Sequence, residues 1–229
     1  VGRGVKSGAY EPHVTKMFRQ YVKPGMHVLD IGANIGYFTM LAASLVKPSG
    51  SVMAIEPNPE NAKLVELSRR ANKFNQVTIV QAGAGRELGL LVLNTAYSNG
   101  TTSDLSDDPS QLADATTVPC LRIDDIFPKD KQAGFIKIDV EGAEYNALLG
   151  ASALIKRCHP VIVSEFSPGM IEGISGITAQ AYVKFILDFG YRVSVVEPNG
   201  NLDPCGLDID KVMRAYANCG GDHIDILFE

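Results

Sequence analysis

At 229 residues with 45% hydrophobic content, the chain can bury one sizeable core without splitting into two domains. A formal net charge of -5 argues against a nucleic-acid footprint, and no apolar run approaches the roughly 20 residues that span a bilayer.

Val1 to Ala9 is small, basic and glycine-rich, and is expected to be a loose arm. Tyr10-Glu11-Pro12-His13 then opens a helix, with Pro12 in the first turn and Val14, Met17, Phe18 and Tyr21 as its apolar stripe. Because this helix precedes the sheet, residues 1–24 are read as an arm and helix free to lie over a cleft. His13 is then a candidate base or substrate contact, the plain alternative being a half-exposed surface residue. Lys23-Pro24-Gly25 ends the helix, and residues 25–229 are expected to form the Rossmann-like core.

The organising stretch follows. Val28, Leu29 and Ile31 form the compact apolar run of a strand buried on both faces, and Phe38, Leu41, Ala42 and Leu45 recur at helical spacing. Gly32 and Gly36 lie between them, where glycine permits a sharp turn and leaves room for a ligand to approach main-chain N–H groups at a helix N-terminus. A dinucleotide turn reads G-x-G-x-x-G, its second glycine admitting a pyrophosphate. Here the spacing is G-x-x-x-G after Asp30, which resembles the first motif of S-adenosylmethionine-dependent methyltransferases. That cofactor has no pyrophosphate, and Asp30 could accept from its ammonium group. The same residues also describe an ordinary strand-to-helix turn.

Ser51 to Glu56 is expected to be the second strand. Glu56 lies 20 residues beyond Gly36, the distance at which an acidic tip of the second strand meets ribose hydroxyls. Asn58 reads as a helix N-cap, with Leu64, Leu67, Ala71 and Phe74 as the buried stripe. Gln76 to Gln81 is the third strand, followed by Ala82-Gly83-Ala84-Gly85, small enough for an adenine ring to lie flat against backbone. Leu88 to Asn94 and Thr117 to Ile123 read as extra strands. The polar stretch between them, Tyr97 to Thr116 with Asp104, Asp107 and Asp108, reads as a mobile edge near a substrate entrance.

A strand from Phe135 to Ile138 ends in Asp139, and one helix is expected from about Ala143 to Lys156. The strand Pro160 to Phe166 carries Glu165 at the same rim, where doubly wound sheets bind ligands. A helix Thr178 to Phe189, a strand Tyr191 to Glu197, a helix Asp208 to Tyr216 and a closing strand Asp222 to Phe228 bring the count to seven core strands. The last is expected to run antiparallel.

Taken together, the runs Asp30-Ile31-Gly32-Ala33-Asn34-Ile35-Gly36-Tyr37-Phe38-Thr39, Glu56-Pro57-Asn58-Pro59, Ile136-Lys137-Ile138-Asp139-Val140-Glu141-Gly142-Ala143-Glu144 and Ser164-Glu165 resemble the FkbM family of methyltransferases. The resemblance implies a class I methyltransferase fold: a seven-stranded, mostly parallel sheet with helices on both faces. It also implies S-adenosylmethionine as methyl donor and transfer to a hydroxyl of a small molecule, sugar or natural product. Asp30, Gly32, Asn34, Glu56 and Asp139 would line the cofactor pocket, joined by Ala33, Gly36, Tyr37 and Phe38 of the turn and by Pro57, Ala82 and Gly83.

Methyl transfer from a sulfonium is an in-line displacement, so its catalysis is mostly alignment, with a base for the acceptor proton. His13, Asp139 and Glu165 are the candidate bases. Asp139 and Glu165 could alternatively hold a divalent cation, the less favoured reading, and no metal site is assigned. Asp139-Val140-Glu141-Gly142 departs from the Asn/Asp-Pro-Pro-aromatic run of nucleobase methylation. An NAD(P)-binding oxidoreductase is the rival enzyme, and a non-catalytic cofactor-binding module the rival non-enzyme. Cys120, Cys158, Cys205 and Cys219 show no C-x-x-C spacing, which fits reduced thiols and a cytoplasmic location. The start without methionine reads as an excised piece of a larger biosynthetic enzyme, with neither nucleic acid nor membrane as partner.

Overall fold

The computed structural model describes residues 10–94, 101–103 and 115–229. The arm at Val1 to Ala9, the loop residues 95–100 and the acidic cluster Asp104, Asp107 and Asp108 lie outside the described residues. An eight-stranded sheet forms the centre. Its strands are β1 (His27–Ile31), β2 (Ser51–Ile55), β3 (Val77–Val80), β8 (Ala133–Ile138), β9 (Val161–Phe166), β10 (Val193–Val196), β11 (Leu202–Gly206) and β12 (Ile224–Phe228), in the order β11-β10-β12-β9-β8-β1-β2-β3. β3, β2, β1, β8 and β9 pair in parallel, and β12 runs antiparallel to both β9 and β10. These are the seven expected strands, the last reversed. β11 is an eighth, antiparallel to β10 at the edge. Its sequence Leu-Asp-Pro-Cys-Gly has no alternation, and an edge is where a strand tolerates proline.

Side chains alternate across the sheet, and the helices sort accordingly. On one face Val28, Phe135, Val163 and Leu227 pack with Val14, Met17 and Phe18 of α1 (Pro12–Tyr21) and with Phe38, Ala42 and Val46 of α2 (Tyr37–Val46). On the other, Leu29, Ile31, Ile136, Ile138 and Ile162 meet the helices that follow β8 and β9. α1 is therefore a layer of the core, its three apolar side chains wholly buried. Only the turn before it reaches the cleft.

α3 (Pro59–Ala71) buries Asn61, Ala62 and Val65, whereas Leu64 and Leu67 are 45% and 56% exposed. The expected stripe is out of phase because Val65 sits against Gly36, where a Cβ would come within 3.1 Å of it. The helix expected after Asp139 is two. α5 (Glu144–Leu149) stops at Gly150, whose position a Cβ would bring to 2.0 Å from the Gly85 carbonyl oxygen. Asp124, in the short α4 (Ile123–Ile126), accepts from Ala153 N at 3.0 Å and Leu154 N at 2.8 Å, capping α6 (Ser152–Cys158). The remaining helices are α7 (Pro168–Ser175), α8 (Ala179–Leu187) and α9 (Ile209–Asn218).

A smaller sheet sits between β3 and α4, in the order β4-β7-β5-β6: β4 (Gly83–Ala84), β7 (Thr116–Leu121), β5 (Gly89–Asn94) and β6 (Thr101–Ser103). β5 and β7 are the two extra strands expected, paired antiparallel. None of the four cysteines is joined in a disulfide. Among the described residues no helix is long and apolar enough to cross a membrane.

Candidate active site

The winding direction switches at β1, which has β2 on one side and β8 on the other. Beyond the carboxyl ends of these strands opens a cavity of about 240 Å³. Gly32, Asn34, Glu56, Pro57, Ala82, Gly83, Asp139 and Glu165 all line it, so four separated sequence motifs meet in one place. Gly32 has φ +81° and lies so close to the chain after β8 that a Cβ would stand 1.8 Å from the Asp139 carbonyl oxygen. Gly36, at φ +88°, is the N-cap of α2.

The N–H groups of Gly32, Ala33, Asn34 and Gly36 are taken within the protein. Gly32 N and Ala33 N both donate to Ile55 O, at 2.9 and 3.1 Å, and Gly36 N donates to Ala33 O at 2.8 Å. Asn34 N donates to Glu56 Oε2 at 2.7 Å, and Asn58 N donates to Glu56 Oε1 at 2.9 Å. Glu56 thus ties the β1 turn to the β2 turn while its carboxylate, only 3% exposed, borders the cavity. Burial raises its pKa, and the two backbone donors hold that rise in check.

Asp30 does not face the cleft. Strand alternation turns it to the α1/α2 face, where it is fully buried and accepts from Thr39 Oγ1 at 2.5 Å. The direct contact with a ligand ammonium expected of it is therefore replaced by a supporting role. Beside it in register is Lys137, 5% exposed, a residue that carried no role in the sequence reading. Lys137 Nζ donates to Asp139 Oδ2 at 2.9 Å and lies 5.1 Å from the centre of the Phe38 ring. Burial alone would lower its pKa; Asp139, Asp30 and Glu11 reverse that and hold it above the ordinary value. Lys137 thus gives Asp139 a cationic partner from within the protein. Among the described residues no three His, Cys, Asp or Glu side chains converge as metal ligands.

Ala33, Gly36, Tyr37 and Phe38 shape the turn from behind, and none of them lines the cavity. Phe38 stacks on Phe18 and supports Lys137. His13 is also outside the cavity: its Nε2 lies 2.7 Å from Asp225 Oδ2, and this bond raises its pKa. With that nitrogen turned to Asp225 and the ring away from the cavity, His13 is displaced from the role of base. The residues just before it, Tyr10 and Glu11, do line the cavity, as do Thr102 of β6, Glu141 and His223. The sequence signal for Lys137 was a lysine inside an apolar strand, which burial obliges to find carboxylates.

Glu165 faces Asp225 across β9 and β12. Burial, then the charges of Asp139, Glu141, Glu144 and Asp225, push its pKa up to about 9. Below pH 4.5, its ordinary value, folded and unfolded chains both hold this proton. Between there and about 9 only the folded chain holds it, so stability falls as pH rises through that window. Glu165→Gln, which is neutral throughout, is expected to melt with the parent at pH 4 and several degrees above it at pH 8, at about 2–4 °C per kcal/mol. Parallel melting curves across that range would refute the assignment.

A family model described as "Methyltransferase FkbM domain" matches residues 30–193. The chain is 32% identical over 87 residues to a protein-L-isoaspartate O-methyltransferase of Methanopyrus kandleri, covering 37% of this chain and 38% of that protein. It is 28% identical over 143 residues to "Methyltransferase 1" of Beauveria bassiana, covering 54% and 57%. These matches span less than two thirds of the relatives' own length. Among solved structures, the FkbM methyltransferase of Methylobacillus flagellatus superposes with a TM-score of 0.56 at 18% identity, over 94% of this chain and 50% of that one. An rRNA methylase of Streptococcus thermophilus gives 0.54 at 8% identity, over 94% and 93%. At such identities these two likenesses establish the fold alone.

Proposed function

The chain belongs to the FkbM family of S-adenosylmethionine-dependent methyltransferases, and from that premise we propose that it methylates a neutral hydroxyl oxygen of a small molecule, sugar or natural product. The observation that carries this reading is the charge of the cleft. Glu11, Glu56, Asp139 and Glu141 border it, Glu165 adds a carboxyl that stays protonated up to about pH 9, and His223 is the one cationisable side chain among its described residues. Such a wall suits a cationic donor and an uncharged acceptor, and repels a carboxylate or phosphate. It therefore speaks against the isoaspartyl acceptor named for the Methanopyrus kandleri relative and against an RNA backbone.

The residues present fit the donor. Glu56 presents a carboxylate that can accept from two ribose hydroxyls. Ala82, Gly83 and Ala84 form a wall without bulky side chains, suited to an adenine face. When bound, the donor supplies a methyl carbon on a positively charged sulfur. Asp139, held by Lys137, gives that charge a fixed partner, and the Gly32 bend keeps the β1 and β8 tips close enough for one ligand to touch both. A nicotinamide dinucleotide would need N–H donors for its pyrophosphate, and in this turn those of Gly32, Ala33, Asn34 and Gly36 are engaged within the protein.

Calorimetric titration with S-adenosylmethionine, S-adenosylhomocysteine and NAD tests the reading: the first two are expected to bind and NAD is not. Glu56→Gln is expected to weaken S-adenosylmethionine binding by roughly 10- to 100-fold, because an amide cannot accept on both arms. Unchanged affinity would remove Glu56 from the ribose site. Methyl transfer to a panel of neutral hydroxyl acceptors distinguishes an enzyme from a non-catalytic module.

A further inference from the structure

The cleft contains one histidine that the preceding account leaves unused. His223 ends the loop 219–223 between α9 and β12, and its side chain lines the cavity together with Asp139 and Glu165. The loop is pinned. Ser167 Oγ donates to Asp222 O at 2.9 Å, Gly221 N donates to Cys219 Sγ at 3.3 Å, and the Cys219 thiol lies 3.7 Å from His223 O. Asp222 Oδ1 lies 2.8 Å from His223 Nδ1. His223 holds Asp222 below the usual carboxylate range, so that oxygen is ionised and can only accept. Nδ1 therefore carries the hydrogen of the neutral ring, and Nε2 keeps its lone pair.

Resting on the reading of this cleft as the methyl-transfer site, we propose that His223 is the general base, accepting the acceptor's hydroxyl proton on Nε2, with Asp222 as its positioning residue. The acceptor's O–H bond breaks and its proton goes to Nε2. The oxygen's electron pair forms the new O–C bond, and the pair of the broken C–S bond stays on sulfur, leaving a neutral thioether. The imidazolium then returns its proton to water, to which the half-exposed side chain has access. The ionisable groups around it are Asp222 on its own loop, Asp225 two residues on, Glu165 of β9, Asp139 and Glu141 after β8, and Tyr10 and Glu11 before α1.

The test reads the histidine itself. The four imidazoles are titrated by NMR, His223 being assigned through His223→Gln, in complexes with S-adenosylmethionine and with S-adenosylhomocysteine. The two ligands differ by one methyl group and its positive charge. His223 is expected to titrate at least half a pH unit lower with the methylated ligand, about a threefold change in proton affinity, and to show the Nδ1–H tautomer. His159, stacked on Tyr191 and outside the cavity, is expected to titrate alike in both. Equal His223 titrations in the two complexes, or an Nε2–H tautomer, would overturn the base while leaving the cofactor reading intact. Binding of neither ligand would overturn both. His223→Gln is further expected to keep its calorimetric affinity for S-adenosylhomocysteine; loss of that affinity would make His223 a binding residue instead.

Discussion

Replacing Lys137 by methionine is expected to cost about 3–5 kcal/mol of folding stability, the range for removing one partner of a buried charge pair. The side chain is almost wholly enclosed, with Asp139 at 2.9 Å and the charges of Asp30 and Glu11 acting on it. Without the ammonium group these acids face each other in a poor solvent. The loss is expected to shrink as pH falls and the stranded acids take up protons. Urea unfolding at pH 5 and pH 8 checks both parts: a loss under about 1 kcal/mol at pH 8, or one that grows on acidification, would contradict the charge assignment. Lys137→Met combined with Asp139→Asn should recover part of the stability, and the double-mutant cycle then measures the pair directly.

Gly32→Ala is the second large effect. Two independent obstacles meet there: a backbone angle of +81°, which side chains rarely adopt, and a carbonyl oxygen 1.8 Å from the new methyl group. A flexible side chain could yield, but here the obstacle is main chain. The β1 and β8 tips are forced apart, and affinity for S-adenosylmethionine is expected to fall by roughly 100-fold or more, about 3 kcal/mol. Gly169→Ala provides the contrast. It sits in the first turn of α7 with nothing within 4 Å of its Cβ position, and is expected to leave binding unchanged. Equal behaviour of the two variants in calorimetry would show that the close approach at Gly32 has no bearing on the cleft.

The glycine turn, Glu56 and Asp139 were legible in the sequence because each follows directly on a strand, and a parallel sheet sends all its strand ends to one rim; Glu165, the penultimate residue of β9, reaches the same rim. Asp30 was misplaced because the last residues of a strand look equally available in a linear reading, whereas alternation sends every other one to the helix side. His13 was displaced by Asp225, 212 positions further on, a distance at which local patterns carry no information. Lys137 was visible as a letter within a motif, but its meaning depended on which neighbours the register would supply. The break at Gly150 and the phase of α3 had the same cause: close backbone approaches to Gly85 and Gly36 that propensity does not encode.

The position of β12 bears on how the molecule assembles. The strand closest to the carboxyl end lies between β9 and β10 rather than at an edge, so those two have no common partner until it is in place. On the ribosome, β1, β2, β3, β8 and β9 can dock in order of synthesis while one flank stays open. That flank is a ready template for strands of other chains. Chaperone demand and aggregation should therefore concentrate in the interval before β12 is released, because its arrival is what seals the sheet.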